Sequence, residues 1–96
     1  MLLLIFQFQA NSPAFDRMAS NDVAVILGNA VLGALQKGSM AGILIDKLST
    51  NQLYVLSEDM VTMGIVEAEL VEGLGVIDYS GLVNLTVENA QIFSWC

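Results

Sequence analysis

The sequence contains no histidine, one cysteine, one proline and only three basic residues in 96. Each shortage removes a class of chemistry. Without histidine there is no Ser-His or Cys-His pair to activate a nucleophile, and a zinc site has almost no ligands to draw on. A single cysteine, Cys96, excludes an intramolecular disulfide. The bases Arg17, Lys37 and Lys47 are spread along the chain. Neutralising phosphates takes clustered Lys and Arg, so direct nucleic-acid binding is not expected. The glycines build neither a P-loop nor a dinucleotide fingerprint, because Gly28, Gly33 and Gly38 recur at five-residue spacing, which matches neither pattern. No metal or cofactor is implied.

Long uninterrupted apolar runs are also missing. Met1 to Phe6 has the character of a signal-peptide core, but it is short, has no basic flank and meets Gln7 at once. A buried first strand is the better reading. The stretch from Val23 to Ile45 is broken by Asn29, Gln36, Lys37 and Ser39 and divided by glycines. A membrane span needs a cleaner run of roughly 20 apolar residues, so a cytoplasmic protein with no membrane contact is expected.

What is present is apolar and acidic. Ten acids against three bases give a net charge of −7, while 55% of residues are apolar and 14% charged. Ordinary soluble chains run near ~45–50% and ~25%. One small domain, here spanning 1–96, has few interior positions for so many apolar side chains. Some of them are expected to face a partner, which makes the chain a homo- or hetero-oligomer.

Four short continuous apolar runs have the signature of strands covered on both faces: Leu2–Phe8, Val23–Leu27, Leu53–Leu56 and Val76–Tyr79. Helical stretches separate them. Pro13 suits the first turn of a brief helix between Ser12 and Ser20. Asn29 can cap a helix over Ala30–Gln36, with Lys37 and Gly38 closing it. In Ser39–Ser49 the spacing of Met40, Ile43, Leu44 and Leu48 favours helix over strand. Ser57 can cap a turn or two ended by Gly64, with Glu58 and Asp59 suiting the helix dipole. Ile65–Gly75 carries three glutamates and ends in a glycine-rich turn, and Ser80 can cap a final helix. Strands alternating with helices predict a parallel α/β sheet.

Candidate chemistry is sparse. Cys96 is the one thiol that could carry sulfur, but the terminal carboxylate beside it opposes the thiolate that nucleophilicity requires. Glu67, Glu69 and Glu72 read as a solvated face, and Met60 and Met63 as core or interface filler. In a parallel sheet, ligands lie outside the carboxyl ends of the strands, where Gly28, Asn29, Ser57, Glu58 and Asp78 should gather. That crevice is acidic and suits a phosphate poorly. Cap and turn duties are the first reading of its residues.

Several segments resemble, in order, the TusB/DsrH family within the wider DsrE/DsrF-like group. Asn11-Ser12-Pro13 after the first strand is similar to that family's Ser-Pro opening. Ser20 to Val31 is similar to its turn, second strand and small-residue helix start. Leu53 to Met60, followed by Gly64, resembles its third strand, acidic pair and glycine. Val76 to Asn89, with Trp95 near the end, carries the most specific likeness: an Ile-Asp-Tyr strand, a hydrophobic helix start, Leu-Thr and a terminal tryptophan. There are departures. The first helix is shortened to about Pro13–Ala19, Met63 stands where an arginine is usual, and Gln36–Ser49 follows no family pattern.

The resemblance implies a small flavodoxin-like three-layer domain with a mostly parallel sheet of four to five strands. It also implies assembly with DsrE-like and DsrF-like (TusC/TusD-type) subunits. Such assemblies relay persulfide sulfur towards 2-thiolation of the tRNA wobble uridine or serve intracellular sulfur oxidation. In the catalytic relatives the sulfur-bearing cysteine ends the third strand, eight residues before the glycine, and counting back from Gly64 gives Leu56. The expectation is an accessory subunit and not an enzyme. Two alternatives stand beside it: a carrier using Cys96, and a self-associating binding domain.

Overall fold

A computed structural model describes residues 1–6, 22–36, 38, 41–89 and 91–95. Its frame is a five-stranded sheet, β1 Leu2–Ile5, β2 Val23–Ile26, β3 Gln52–Leu56, β4 Gly75–Ile77 and β5 Ile92–Trp95. The strand order is β4-β3-β2-β1-β5 and every pairing is parallel. All four expected strands are present, each near its expected place. The fifth, Ile92–Trp95, was not read from its residues. The helix expected between Ser12 and Ser20 lies outside the described residues, as do Phe8, Lys37 and Cys96.

Register explains why the strands are apolar throughout. Leu3, Ala24 and Leu53 stand opposite one another, as do Ile5, Ile26 and Val55, and all six belong to one buried cluster. The intervening Leu2, Val25 and Leu56 belong to a second cluster on the other side. A strand buried on both faces cannot alternate apolar with polar residues. Each of the buried Leu, Ile and Val side chains among these contributes about 1.5–3 kcal/mol.

The two faces are covered by different elements. On the first lie a 3-10 segment Gly28–Ala34, the helix α1 Ala41–Leu48 and the helix α2 Ser57–Thr62, contributing Val31, Leu44 and Met60 to the cluster. Met63 packs against the same cluster. On the second lies α3, Tyr79–Glu88, whose Leu82 and Leu85 pack over Leu2, Val25 and Leu56. The expected α/β architecture with helices on both sides of the sheet is therefore what forms. Steps from β2 to β3 to β4 run in one direction and keep to one face. The return from β4 to β5, across the whole sheet, takes the other. Among the described residues no helix is long and apolar enough to cross a membrane.

Three local expectations need correction. Residues 30–36 do not form a capped α-helix: Gly28–Ala34 is 3-10, and Asn29 lies inside it without capping it. Its far end is drawn into tertiary pairing. Val71 donates its N–H to Ala34 and Gln36 donates to Glu69, each at 2.9 Å, around a bridge between Leu35 and Leu70. Those bonds compete with helix continuation. Ser57 is not a cap but the first residue of α2, which Leu56 precedes at the cap position. Ser80 is not a cap either. Asp78 caps α3, accepting from the Gly81 N–H at 2.9 Å. The helix favoured within Ser39–Ser49 is present as α1.

Gly75 is required by a close approach. It stands opposite Tyr54 in the register, and a Cβ added there would lie 2.6 and 2.8 Å from Tyr54 Cδ1 and Cε1. The ring is held at its far end by a 3.1 Å hydrogen bond from its hydroxyl to Gln52. Gly75→Ala should lower stability by about 1–2 kcal/mol, overpacking being partly offset by reduced unfolded-state entropy. A urea titration at equal m-value checks this; unchanged or raised stability refutes the close packing.

Candidate functional site

The chain leaves β3 into α2 on one face of the sheet and leaves the neighbouring β4 into α3 on the other. Adjacent strands whose connections depart to opposite sides open a crevice at their carboxyl ends, the usual ligand position in open α/β sheets. Here the walls are Leu56-Ser57-Glu58 and Ile77-Asp78-Tyr79.

The crevice is bridged by the chain itself. Glu58, in the first turn of α2, accepts the Tyr79 N–H at Oε2, 3.3 Å away, and the Ser57 hydroxyl at Oε1, 3.0 Å away. One carboxylate thus joins the ends of β3 and β4. Asp59, the next residue, reaches the other way and accepts the Gly28 N–H at 2.6 Å, tying the end of β2 to α2. Gly28 has φ +61, a left-handed conformation that glycine adopts without penalty, and this turns the chain from β2 into the 3-10 segment. Asp78 serves as the α3 cap.

Of the expected crevice residues, Ser57, Glu58 and Asp78 do meet at the carboxyl ends of β3 and β4, while Gly28 meets Asp59 at the end of β2. Asn29 is exposed in the 3-10 segment. The acidic pair does more than complement a helix dipole. It makes two tertiary ties, spanning 21 and 31 residues of sequence. Sequence reading missed the role of Asp59 and the cap at Asp78. Asp78 itself, a preferred cap residue at the end of an apolar run, was a usable signal for the latter; no local pattern marks the former.

Leu56 closes β3 immediately below this bridge. It is 1% exposed and lies in the second cluster with Leu2, Val25 and Leu27, under Leu82 and Leu85 of α3. The residue that ends β3 is therefore packed in hydrocarbon. Among the described residues no group of three or more acidic or thiol side chains is placed to hold a metal ion. Glu67, Glu69 and Glu72 are exposed away from the crevice, and Glu69 Oε1 accepts the Val66 N–H at 3.1 Å within its own turn.

Fold and site together define a class: a small all-parallel α/β domain whose switch point is bridged by its own carboxylate, with a buried leucine ending the neighbouring strand. The chain belongs to the DsrH-like family, whose description, "DsrH like protein", matches residues 6–92. Two solved structures share the fold. A protein of unknown function, MTH1491 from Methanobacterium thermoautotrophicum, superposes with a TM-score of 0.81 at 12% identity, covering 98% of this chain and 96% of that one. Protein Tm0979 from Thermotoga maritima superposes with a TM-score of 0.61 at 18% identity, covering 95% and 97%. A comparison with curated protein sequences finds no match.

Proposed function

We propose that this chain is a non-catalytic subunit of a cytoplasmic sulfur-relay assembly. It would support persulfide transfer on homologous DsrE-like and DsrF-like subunits, towards tRNA wobble-uridine 2-thiolation or intracellular sulfur oxidation. Membership of the DsrH-like family supports a sulfur-relay role. The observation that carries the accessory reading is Leu56. At the end of β3, where the resemblance expects the sulfur-bearing cysteine of catalytic relatives, the chain has a buried leucine beneath a crevice bridged by Glu58 and Tyr79. A hydrocarbon side chain accepts no sulfur, and a water-excluded position gives a donor persulfide no access.

The test joins assembly and chemistry. Co-expressed with DsrE-like and DsrF-like subunits of its own organism, the chain should co-elute with them at low micromolar concentration; separate elution sinks the proposal. Incubated with a cysteine desulfurase and cysteine, the isolated chain should stay at its unmodified mass while the partner gains about 32 Da, one persulfide sulfur. An adduct on this chain that disappears in Cys96→Ser would instead establish a sulfur carrier.

A further inference from the structure

We infer that the outer edge of β5 is a pairing edge whose occupant is β5 of a second copy of this chain, set antiparallel across a two-fold axis at Phe93. The inference stands apart from the relay reading. It begins with the direction of backbone groups. The Leu2 N–H donates to the Gln91 carbonyl at 2.9 Å, and Leu2 stands level with Ile92 in a parallel register. Successive residues of a strand turn their N–H and C=O groups to opposite edges. Phe93 therefore faces β1, while Ile92 and Ser94 turn both backbone groups outward. Among the described residues nothing pairs with them there, because β5 ends the strand order. The side chains at this edge are open as well. Ile92 is 43% and Phe93 47% exposed, so neither helical layer closes over them.

Natural sheets guard such edges with charge, proline or a very short strand. The opposite edge of this sheet has two of those guards, since β4 is three residues long and runs straight into the carboxylate of Asp78. Around β5 the guards are missing: residues 89–96 hold neither a charged side chain nor a proline. Two outward donor–acceptor positions, one residue apart, call for extended backbone, and they match a copy of themselves. Set antiparallel about Phe93, Ile92 of each copy pairs with Ser94 of the other. Every outward N–H and C=O of the two residues then finds a partner in both copies. The two Phe93 residues meet at a non-hydrogen-bonded position, about 4.5 Å apart at Cα, where aromatic pairs are favoured. Phe93 is level with Leu3, so this contact forms on the face that carries α1 and α2. A net charge of −7 on each copy opposes association, but no acid lies on the paired segment. Salt should therefore strengthen the dimer, whereas a partner held by opposite charge would loosen.

The test uses the purified full-length chain in sedimentation equilibrium from about 10 µM to about 1 mM, since an interface built on one short strand is weak. A dimer should appear across this range and tighten as salt rises from about 0.05 to about 0.5 M. Amide hydrogen exchange reads the edge directly. The Ile92 and Ser94 amides should gain about tenfold protection or more as concentration rises, while the Phe93 amide, which faces β1, should not change. Ser94→Pro removes one outward N–H from each copy, a change that an edge strand tolerates, and should weaken dimerisation by about tenfold or more. Phe93→Lys sets like charges against each other on the axis and should do the same. Circular dichroism checks that both variants fold; if either does not, exchange in the wild-type chain decides alone. A chain that stays monomeric throughout overturns the proposal, as does a dimer that survives both substitutions or leaves the two amides unprotected. Protection that appears only on adding DsrE-like and DsrF-like subunits makes the occupant a different chain, which also overturns it and leaves the relay reading standing.

Discussion

Leu56→Ala should lower the free energy of unfolding by about 3 kcal/mol, within the range of about 2–5 for a buried leucine truncated to alanine. For a chain of this size that corresponds to a fall in melting temperature of roughly 12–24 °C. The expectation stands clear of the bottom of that range because the site has little room to collapse. Leu56 is held from the sheet by Val25 and Leu2 and from above by Leu82 and Leu85. Its backbone is fixed by pairing with Ile77 in β4. A matched variant carries the functional meaning. Leu56→Cys in a Cys96→Ser background puts a thiol where the relay cysteine of catalytic relatives is expected. It should cost less stability than alanine, and its thiol should stay unreactive towards a thiol reagent until urea unfolds the chain. Burial in apolar surroundings makes a cysteine inert. Native-state labelling as fast as that of an exposed thiol would show that the packing around Leu56 opens, and the accessory reading would lose its main support. A loss below about 1 kcal/mol in the alanine variant would mean that Leu56 is not packed as described.

The contrast between Leu56 and its neighbours shows which parts of this molecule could be read from its residues. β1, β2, β3 and β4 were legible because a strand covered on both faces must be apolar at successive positions, and a run such as Val23-Ala24-Val25-Ile26 is short and rich in β-branched residues, which favours strand over a buried helix. β5 was not. Ile92-Phe93-Ser94-Trp95 holds three strand-favouring residues, but four residues at a sheet edge are too few to mark a strand apart from its pairing with β1. The 3-10 segment failed for the opposite reason. Asn29 to Gln36 has fair helical composition, but the backbone groups of Ala34 and Gln36 are claimed by Val71 and Glu69, 37 and 33 residues away. The caps were ambiguous by one or two positions, since Asp78 and Ser80 are both good caps and only the point where the chain leaves β4 selects between them. The gathering of Ser57, Glu58 and Asp78 was foreseeable from topology alone, because a parallel sheet sends every strand's carboxyl end to one side. Where the two carboxylates of the acidic pair reach was not foreseeable, because their partners are backbone N–H groups brought close only by the completed fold.

Asp59 offers the sharper test of that second point. Asp59→Ala should lower stability by about 2–3 kcal/mol, more than the loss of an ordinary surface acid. Two effects combine. A carboxylate bond to a backbone N–H, 2.6 Å long and partly buried, is removed. The Gly28 N–H, at the point where β2 turns with φ +61 into the 3-10 segment, then has no acceptor in its place. Asp59→Asn keeps an oxygen at the same reach without the charge, so its loss should be about half as large. Hydrogen exchange separates this tie from a general loss of stability. In Asp59→Ala the Gly28 amide should exchange faster than in wild type by more than the global destabilisation accounts for, whereas amides of β3 should follow the global value. The tie also holds the 3-10 segment against α2, so amides of Val31 and Leu32 should accelerate with Gly28. If Gly28 exchanges at the wild-type rate and stability changes by less than about 0.5 kcal/mol, Asp59 is only a dipole-complementing first-turn acid. The acidic pair would then join β3 to β4 through Glu58 alone.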